Sequence, residues 1–589
     1  MQAAGFSSYF CLIWCSVLLS TFSASAGELN LQLDQDGVDQ TAPRNWSFRG
    51  SGYNGCLDDH VVHSGKHSYG ISRNTSDTGN RQSFGAASCL LPAGDISGKT
   101  ITFSAFIKTQ GVESGWAGLW FRADGEGGVL ALNNGNEKGI KGNTEWVPFS
   151  IEVNVPADAI DCTMGMLLVG NGAAWFDDLE LKIDGKVYET SSTRKQLSIE
   201  ETLERVRKTL IPLATTDSGA DYSDLLPLKP LIADARIVAL GEATHGTREF
   251  FTTKHRMIEF LVEKMGFTHV AVEGNAPELH ELNRFIQSGE GDPKALVESL
   301  EYWTLATQEF LDLILWMRSY NAAGNGRVQI SGLDINQAAE AMATVTNFVK
   351  AKDPAFMESL GAAYSRLANR HTDQCERGEK CDAGKTASQI LEHLERMRST
   401  YLKNASKEEI RWVIQNARVV YQSASFCSSS PHLRDRFMAE NVSWTLENAA
   451  PGTKLILWAH NGHVSKRQGC MGNLLAAKYG GAYRVFGFSF HEGSYNAMGK
   501  SGLTSYTAPP APPGSISWFL CQSGAKSFIL DLRSIAPAPE GRTWLSDMHE
   551  FRVVGGAVPD GGFQPAAVTE DFDFLVFLDA TTPSRLLWK

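Results

Sequence analysis

The fold is decided by the stretch Ala235-Arg236-Ile237-Val238-Ala239-Leu240-Gly241-Glu242-Ala243-Thr244-His245-Gly246. An apolar run of strand length stops at Gly241, and a carboxylate and an imidazole follow at once, Glu242 and His245. In open α/β sheets the functional crevice lies beyond the carboxyl ends of the strands. The stretch therefore predicts a buried strand whose end carries functional side chains.

Other apolar runs end in the same way further along the chain. They are Phe267–Val272 before Glu273, Val328–Leu333 before Asp334, Leu455–Ala459 before His460, and Tyr483–Phe490 before His491 and Glu492. Helical stretches separate most of these runs, which predicts βαβ units and a mainly parallel sheet. All of these polar strand ends are therefore expected to line one crevice.

The length of the chain predicts more than one domain. At 589 residues it exceeds what one hydrophobic core supports. Residues 27–187 carry short alternating strands broken by Gly, Asn and Asp, which predicts an all-β jelly-roll or sandwich. Residues 188–198 are predicted to form a polar linker, and residues 199–589 are predicted to form the α/β domain. A helical insertion at about 338–450 is expected to cap the crevice.

The N-terminus has the pattern of a signal peptide over residues 1–26. An apolar core, Phe10–Leu19, precedes the small-x-small sequence Ala24-Ser25-Ala26. The core is shorter than the roughly 20 residues that a spanning helix needs, although a retained anchor is the alternative. We expect an exported protein, periplasmic or extracellular, with no stable membrane span after leader removal. Export permits disulfides, and the simplest pairings are Cys56 with Cys89 and Cys375 with Cys381.

Charge and missing motifs exclude several classes of function. The net charge of -12 and the absence of a Lys/Arg run argue against a nucleic-acid partner. No G-x-S-x-G nucleophile elbow occurs in a strand–turn–helix context, and no dinucleotide or P-loop motif is present. Direct attack by an activated water therefore fits better than a covalent serine mechanism.

His245 is the first candidate catalytic residue. Glu242 lies three residues earlier, and a carboxylate at one ring nitrogen fixes the tautomer and leaves the other nitrogen as a base. A structural histidine at a strand end is the alternative. The pairing with Glu242 favours a catalytic base.

His460, His463 and Glu273 form a second candidate group. The histidines can polarise a carbonyl, protonate a leaving alkoxide, bind a metal, or simply hold a loop, and Glu273 can orient either of them. Two His and two Glu around one crevice also suit a divalent ion. A metal-dependent hydrolase, or a metal- or haem-binding protein, is therefore the alternative hypothesis, although no H-E-x-x-H or H-x-H pair occurs.

Two cations follow the opening motif, Lys254 and Arg256. Each is expected either to hold an oxyanion or to form an ion pair with Glu242 or Glu273. In the N-terminal region, Trp116, Trp120 and Trp146 predict either a surface that stacks on a glycan or aromatics of a core and rim.

Several separated motifs, in order, closely resemble the erythromycin esterase family. They are Gly241 to Thr247 with Glu249-Phe250-Phe251, Lys254-His255-Arg256, Phe267 to Gly274, Trp316 to Asn321, Gly332-Leu333-Asp334, Arg434-Asp435 with Met438 and Asn441, and Trp458 to His463. The resemblance spans roughly 197–589 and leaves the N-terminal sandwich uncovered.

The resemblance implies hydrolysis of a small-molecule ester or lactone, as in a macrolide esterase, with no cofactor or metal. It assigns His245 as the general base with Glu242 beside it, and it assigns Glu273, His460 and His463 to the other active-site positions. The active-site arginine of the family falls at Lys254, which keeps the charge but loses the bidentate fork, and Arg256 is expected to compensate. This departure bears on the macrolide substrate more than on the hydrolase chemistry, and the added sandwich favours a different natural substrate.

Overall fold

A computed structural model describes residues 29–33, 43, 46–73, 83–91, 93–125, 128–188, 197–300, 302–336, 338–368, 377–426, 431–500, 502–535, 543–557 and 562–587. The predicted signal peptide, most of the predicted linker and Cys375 lie outside the described residues. Those expectations stay predictions.

The N-terminal part of the chain is β-rich. Its elements are β1 (Ser47–Arg49), β2 (Tyr53–Asp58), β3 (Ser68–Arg73), β4 (Phe84–Leu91), α1 (Ala93–Ile96), β5 (Thr100–Gly125), β6 (Gly128–Asn133), β7 (Ile140–Asn154), β8 (Asp161–Gly170), β9 (Ala173–Ile183) and β10 (Lys186–Val187). In these described residues the strands join one sheet of order β1-β4-β8-β5-β9-β3-β2, with β6, β7 and β10 beside this path.

Alternating side chains explain this sheet. In β5 the residues Ile101, Phe103, Ala105 and Ile107 are buried in one core, whereas the residues between them are partly exposed. This period of two is what a strand with one covered face requires. The long strand pairs antiparallel with β7 and β9 through its first half and with β8 and β6 through its second half. The prediction of a β-rich N-terminal domain is confirmed.

The rest of the chain mixes helices and strands. Its strands are β11 (Ile211–Pro212), β12 (Ile237–Leu240), β13 (His269–Asn275), β14 (Gln329–Asp334), β15 (Leu455–Trp458), β16 (Tyr483–Gly499), β17 (Gly502–Ala508), β18 (Ser527–Asp531), β19 (His549–Arg552), β20 (Phe563–Ala566) and β21 (Phe574–Thr581). Its first helices are α2 (Ile199–Thr209), α3 (Leu228–Ile232), α4 (Arg248–Met265), α5 (Ala276–Ser288), α6 (Pro293–Glu298) and α7 (Gln308–Ala322). The later helices are α8 (Ala339–Lys352), α9 (Pro354–Ala368), α10 (Arg377–Arg396), α11 (Arg398–Tyr401), α12 (Lys407–Ser425), α13 (Pro431–Asn448), α14 (Asn461–Val464), α15 (Met471–Tyr479), α16 (Ile516–Cys521), α17 (Leu532–Ile535) and α18 (Val568–Asp571).

The second sheet has the order β11-β18-β21-β16-β12-β15-β13-β14, with β17 on β16. Neighbours from β21 to β14 along this order pair in parallel, whereas β18, β11 and β17 pair antiparallel. All residues of β12 and β15 are buried. Val238 and Leu240 pack into one apolar cluster, and Ile237 and Ala239 pack into another. Both faces of the central strands are therefore covered, which explains their unbroken apolar runs.

The prediction that the fifth strand ends at Phe490 is wrong. β16 does not stop at Phe490 but continues to Gly499, because β17 pairs with it from Gly493 onward and β21 pairs with it as far as Gly493. His491 and Glu492 therefore lie inside a paired strand. His491 contributes its carbonyl oxygen, which accepts from Arg552.

Helices α8 to α13 occupy the chain between β14 and β15. Met342, Val345, Ile390 and Leu394 belong to a cluster of their own, separate from the two sheet clusters. Helix α13 differs, because its Met438 and Val442 pack into the cluster on one face of the sheet. This helix therefore returns the chain from the helical region to the sheet.

The disulfide predicted between Cys56 and Cys89 is absent, since both thiols are free in the described residues. Cys89 is buried in β4, whereas Cys56 lies exposed on β2. The side chain of Cys381 is not described, so the pairing of Cys375 with Cys381 stays a prediction. Among the described helices, none combines the length and the apolar character that crossing a membrane requires.

Candidate active site

The loop after β12 carries the first half of the site. Gly246 packs directly against the backbone of Asn496, where a Cβ atom would collide with the carbonyl group. Asn461, which follows His460, donates its main-chain N–H to the carbonyl oxygen of Glu242 at 2.9 Å. Its side-chain amide bonds both main-chain groups of Phe488 on β16. These contacts hold the ends of β12, β15 and β16 together and bring Glu242, His245 and His460 to one place.

His245 and Glu242 form the predicted pair. His245 Nδ1 lies 2.6 Å from Glu242 Oε1. Burial raises the pKa of Glu242, but Lys254 and His245 together hold it below the ordinary value. A carboxylate only accepts hydrogen bonds, so Nδ1 of His245 must carry the proton. The lone pair is then on Nε2, and the ring keeps 15% of its side-chain surface exposed.

Lys254 is the ion-pair partner of Glu242. On α4 its side chain is completely buried, and Nζ donates to Glu242 Oε2 at 2.5 Å. The ammonium group also lies 4.4 Å from the ring centre of Trp458, a distance that suits a cation–π contact. Burial lowers the pKa of Lys254 to about 8, although Glu242 opposes this shift. Of the two predicted roles for Lys254, the geometry favours the ion pair.

Arg256 does not reach the site. It follows Lys254 by two residues on α4, which rotates its side chain by roughly 200° around the helix axis. There its guanidinium group binds the carboxylate of Asp224 and the carbonyl oxygens of Thr215 and Asp221. The expectation that Arg256 compensates for Lys254 is therefore wrong.

Glu273, at the end of β13, connects the two histidines of the next strand end. Its Oε2 accepts the main-chain N–H of His460 at 2.9 Å, and its Oε1 lies 3.3 Å from His463 Nε2. Burial raises the pKa of Glu273, but His463 and other nearby cations hold it well below the ordinary value. Glu273 therefore stays ionised and positions both residues.

His460 presents a free donor. Its Nδ1 accepts the N–H of Gly462 at 3.1 Å, so the ring proton lies on Nε2. That Nε2 is buried and has no hydrogen-bond partner among the described residues. Burial and the nearby His245 lower the pKa of His460 to about 3, which keeps the ring neutral near pH 7. The ring centres of His460 and His245 are 5.0 Å apart, so a donor lies beside the base.

His463 lies between two carboxylates. Its Nδ1 is 3.0 Å from Asp435 Oδ1, and Glu273 faces its Nε2. Burial lowers the pKa of His463, but Asp435 and Glu273 outweigh it and raise the pKa to about 10. Arg434 Nη1 lies only 2.9 Å from the same Nε2, a contact that suits a neutral ring. The negative charge of the two carboxylates favours the protonated ring, whose Nδ1–H donates to Asp435.

Sequence reasoning assigned no role to Arg434, which the structure places in the centre of this cluster. Its guanidinium group donates to Glu273 Oε1 at 3.0 Å and to both carboxylate oxygens of Asp334, at 3.0 and 2.7 Å. Tyr302 donates a further hydrogen bond to Asp334 at 2.8 Å. The only sequence signal was the Arg434-Asp435 pair within the family motifs.

The arrangement brings a base, a donor and fixed charges together beyond the ends of the central strands. His245 Nε2 can accept a proton, and His460 Nε2–H can donate to a developing oxyanion. Within the described residues, no group of three or more His, Cys, Asp and Glu side chains is arranged to hold a metal ion. The acid residues instead bind the guanidinium, ammonium and imidazole groups around them.

Comparison with known proteins defines the class. The family model described as erythromycin esterase matches residues 262–581, and the chain belongs to this family. Membership supports hydrolase activity. The match begins after Glu242, His245 and Lys254. Of the predicted site residues it therefore includes Glu273, His460 and His463.

The chain is also similar to individual proteins over about two thirds of its length. It is 25% identical over 428 residues to erythromycin esterase type II of Escherichia coli, across 66% of this chain and 99% of that protein. A solved structure from Bacillus cereus is 30% identical with a TM-score of 0.59, covering 66% and 99% of the two chains. A succinoglycan biosynthesis protein is 25% identical with a TM-score of 0.57, covering 66% and 98%.

Proposed function

We propose that this protein hydrolyses an ester or a lactone by direct attack of a water molecule that His245 activates. The observation that supports the proposal best is the opposed polarity of two neighbouring rings. His245 binds Glu242 through Nδ1 and keeps a lone pair on Nε2, whereas His460 accepts from Gly462 through Nδ1 and keeps a proton on Nε2.

The reaction follows from these two nitrogens. His245 Nε2 takes a proton from water as the oxygen attacks the carbonyl carbon, and Glu242 stabilises the imidazolium that forms. His460 Nε2–H donates to the oxyanion of the tetrahedral intermediate. The intermediate then collapses, and His245 returns its proton to the leaving alkoxide. The products are a carboxylic acid and an alcohol, with no covalent intermediate on the enzyme.

The substrate class is a small-molecule ester or lactone. Erythromycin esterases are named for a macrolide, and a macrolactone is one candidate. Lys254 has a compact ammonium group in place of a forked guanidinium, and this group is completely buried in an ion pair with Glu242. We therefore propose hydrolysis at this site and leave the macrolide as one member of a substrate panel. The leader pattern supports export of the enzyme to the periplasm or the medium.

A substrate screen of the purified protein tests the proposal. The panel contains simple aryl esters, lactones of several ring sizes and erythromycin, each assayed with and without a chelator. We expect hydrolysis of at least one ester or lactone at a rate that the chelator leaves unchanged. Loss of activity on chelation, with recovery on adding a divalent ion, would instead support the metal-dependent alternative, and hydrolysis of nothing would reject the proposal.

We also propose that the N-terminal β-rich domain contacts a glycan. A cavity of about 1110 Å³ in this domain is lined by Phe106, Phe149 and Tyr188 together with the carboxylates of Asp178 and Glu180. Aromatic walls with a few polar groups are the common composition of small-ligand sites. Among Trp116, Trp120 and Trp146, the ring of Trp146 connects to this cavity through His63, which contacts Trp146 and stacks on the lining residue Phe106.

Affinity electrophoresis in gels that contain soluble polysaccharides tests the glycan site. We expect at least one polysaccharide to retard the wild type, and we expect the Phe106→Ala variant to lose the retardation because the aromatic floor is removed. Trp116→Ala is the matched control, since Trp116 does not line the cavity. Equal retardation of both variants would contradict the site.

A further inference from the structure

We infer that the N-terminal β-rich domain is a positioning part of the active site, and that it acts through the contact between Asp161 and His432. The inference rests on the proposed hydrolase function, because the groups that are positioned are those that hold Glu273 and His463. It gives the added domain a role in the reaction itself, in addition to any glycan contact.

The contact is a buried ion pair between the two parts of the chain. Asp161 begins β8 of the N-terminal domain, and its Oδ2 lies 2.7 Å from Nε2 of His432 in the first turn of α13. The two side chains are only 6% and 4% exposed. His432 Nδ1 lies 3.2 Å from the carbonyl oxygen of Gly469. Burial lowers the pKa of His432, but Asp161 outweighs burial and raises the pKa above its ordinary value, which favours the protonated imidazole between these two oxygens.

His432 lies directly before the residues that organise the site. Arg434, two residues later, binds Glu273 and Asp334. Asp435, three residues later, accepts at Oδ1 from His463 Nδ1 at 3.0 Å and from the main-chain N–H of Met471 at 2.8 Å. Fixing the first turn of α13 therefore fixes the charges that surround His463.

The other acceptor of His432 belongs to the loop that follows His463. Gly469 has φ of 83°, and a Cβ atom there would collide with the ring of His432 and lie 3.0 Å from Ile160 Cγ2 of the N-terminal domain. The loop ends at Cys470, the N-cap of α15. One imidazole thus contacts the N-terminal domain and the loop next to the α14 turn that carries His463.

A second contact between the two parts of the chain lies near the segment that flanks His245. Leu90 of β4 packs against Met548, and β4 pairs with β8, so this contact comes from the same end of the β sheet as Asp161. The chain that follows Met548 reaches Val554, whose N–H donates to the carbonyl oxygen of Ala243 at 2.7 Å. A Cβ atom at Gly556 would lie 3.8 Å from His245 Cδ2. The same end of the domain therefore borders the segments that flank both His245 and His463.

We expect the ion pair to affect the positions of the active-site residues more than the stability of the protein. Replacement of a buried ion pair by well-packed neutral groups is frequently neutral for stability, because desolvation offsets the attraction. A misplacement of about 1 Å in catalytic groups, by contrast, costs on the order of a hundredfold in rate. The turn that carries Arg434 and Asp435 is the segment that the pair holds in place.

Steady-state kinetics on an ester substrate and hydrogen–deuterium exchange test the inference together. For Asp161→Ala we expect kcat to fall at least about tenfold with a smaller change in KM, and the exchange of residues 432–438 and 465–472 to accelerate. Asp161→Asn keeps an acceptor for His432 and should recover part of kcat. Asp158→Ala, an exposed aspartate in the preceding turn, is the matched control and should match the wild type in both measurements.

Two results would overturn the inference. Wild-type kcat and wild-type exchange in Asp161→Ala would show that the domain does not position the site. Equal losses in Asp161→Ala and Asp161→Asn, with melting temperatures lowered in parallel, would indicate a general loss of structure. If the wild type hydrolyses no ester or lactone, the proposed function fails, whereas the exchange measurement still decides whether the pair holds the turn.

Discussion

Replacing His245 by alanine is expected to lower kcat for ester or lactone hydrolysis by about 10²- to 10⁴-fold, the range that a positioned general base contributes. The loss follows from the paired geometry, because the hydrogen bond to Glu242 leaves Nε2 of His245 as the basic nitrogen beside His460. Glu242 keeps its ion pair with Lys254 in the variant, so the fold should persist. Steady-state kinetics on the best substrate of the panel measure the effect.

The matched control is His60→Ala. His60 is 90% exposed at its side chain and lies in the N-terminal domain, so this variant should retain wild-type kcat and KM. Circular dichroism of both variants establishes that they are folded. A kcat for His245→Ala within a factor of two or three of the control would remove His245 from the reaction.

Replacing Arg434 by methionine is expected to lower the free energy of unfolding by roughly 3–5 kcal/mol, the effect of removing one partner of a buried charge network. Asp334 is fully buried at its side chain and Glu273 is 10% exposed, and both lose their guanidinium donor. Burial raises the pKa of each carboxyl group, so without Arg434 their pKa values should move up. Urea denaturation near pH 7 measures the change.

Arg436→Met is the control for this prediction. Arg436 lies on the same helix with its side chain 38% exposed, and its contact to Glu440 is 3.8 Å, as in a weak surface pair. We expect a change within about 1 kcal/mol. If Arg434→Met were as stable as this control, the network around Glu273 and Asp334 would not hold the strand ends together.

Local sequence patterns predicted the central part of the fold. The apolar runs of β12, β13 and β15 are short and unbroken because both faces of the sheet are covered, and each run stops just before a polar side chain of the site. The spacing of Glu242 and His245 predicted their hydrogen bond because only a tight turn separates them. The alternation in β5 predicted the β-rich N-terminal domain for the same kind of local reason.

Relations between distant residues were not predictable in this way. Arg434 is 161 residues from Glu273 and lies on a helix that leaves the insertion, so no local period connects them. Arg256 was placed wrongly because helical phase, rather than nearness in sequence to Lys254, decides which face a side chain occupies. The continuation of β16 past Phe490 depends on two pairing strands that come later in the chain.

The most direct test of His245 as the base is chemical rescue of the His245→Ala variant by free imidazole. The rate of ester hydrolysis is measured over a series of imidazole concentrations at constant ionic strength, with His60→Ala in parallel. We expect the rate of His245→Ala to rise with the concentration of neutral imidazole, while the rate of the control does not respond. A rate for His245→Ala that already equals the control and stays independent of imidazole would contradict this expectation.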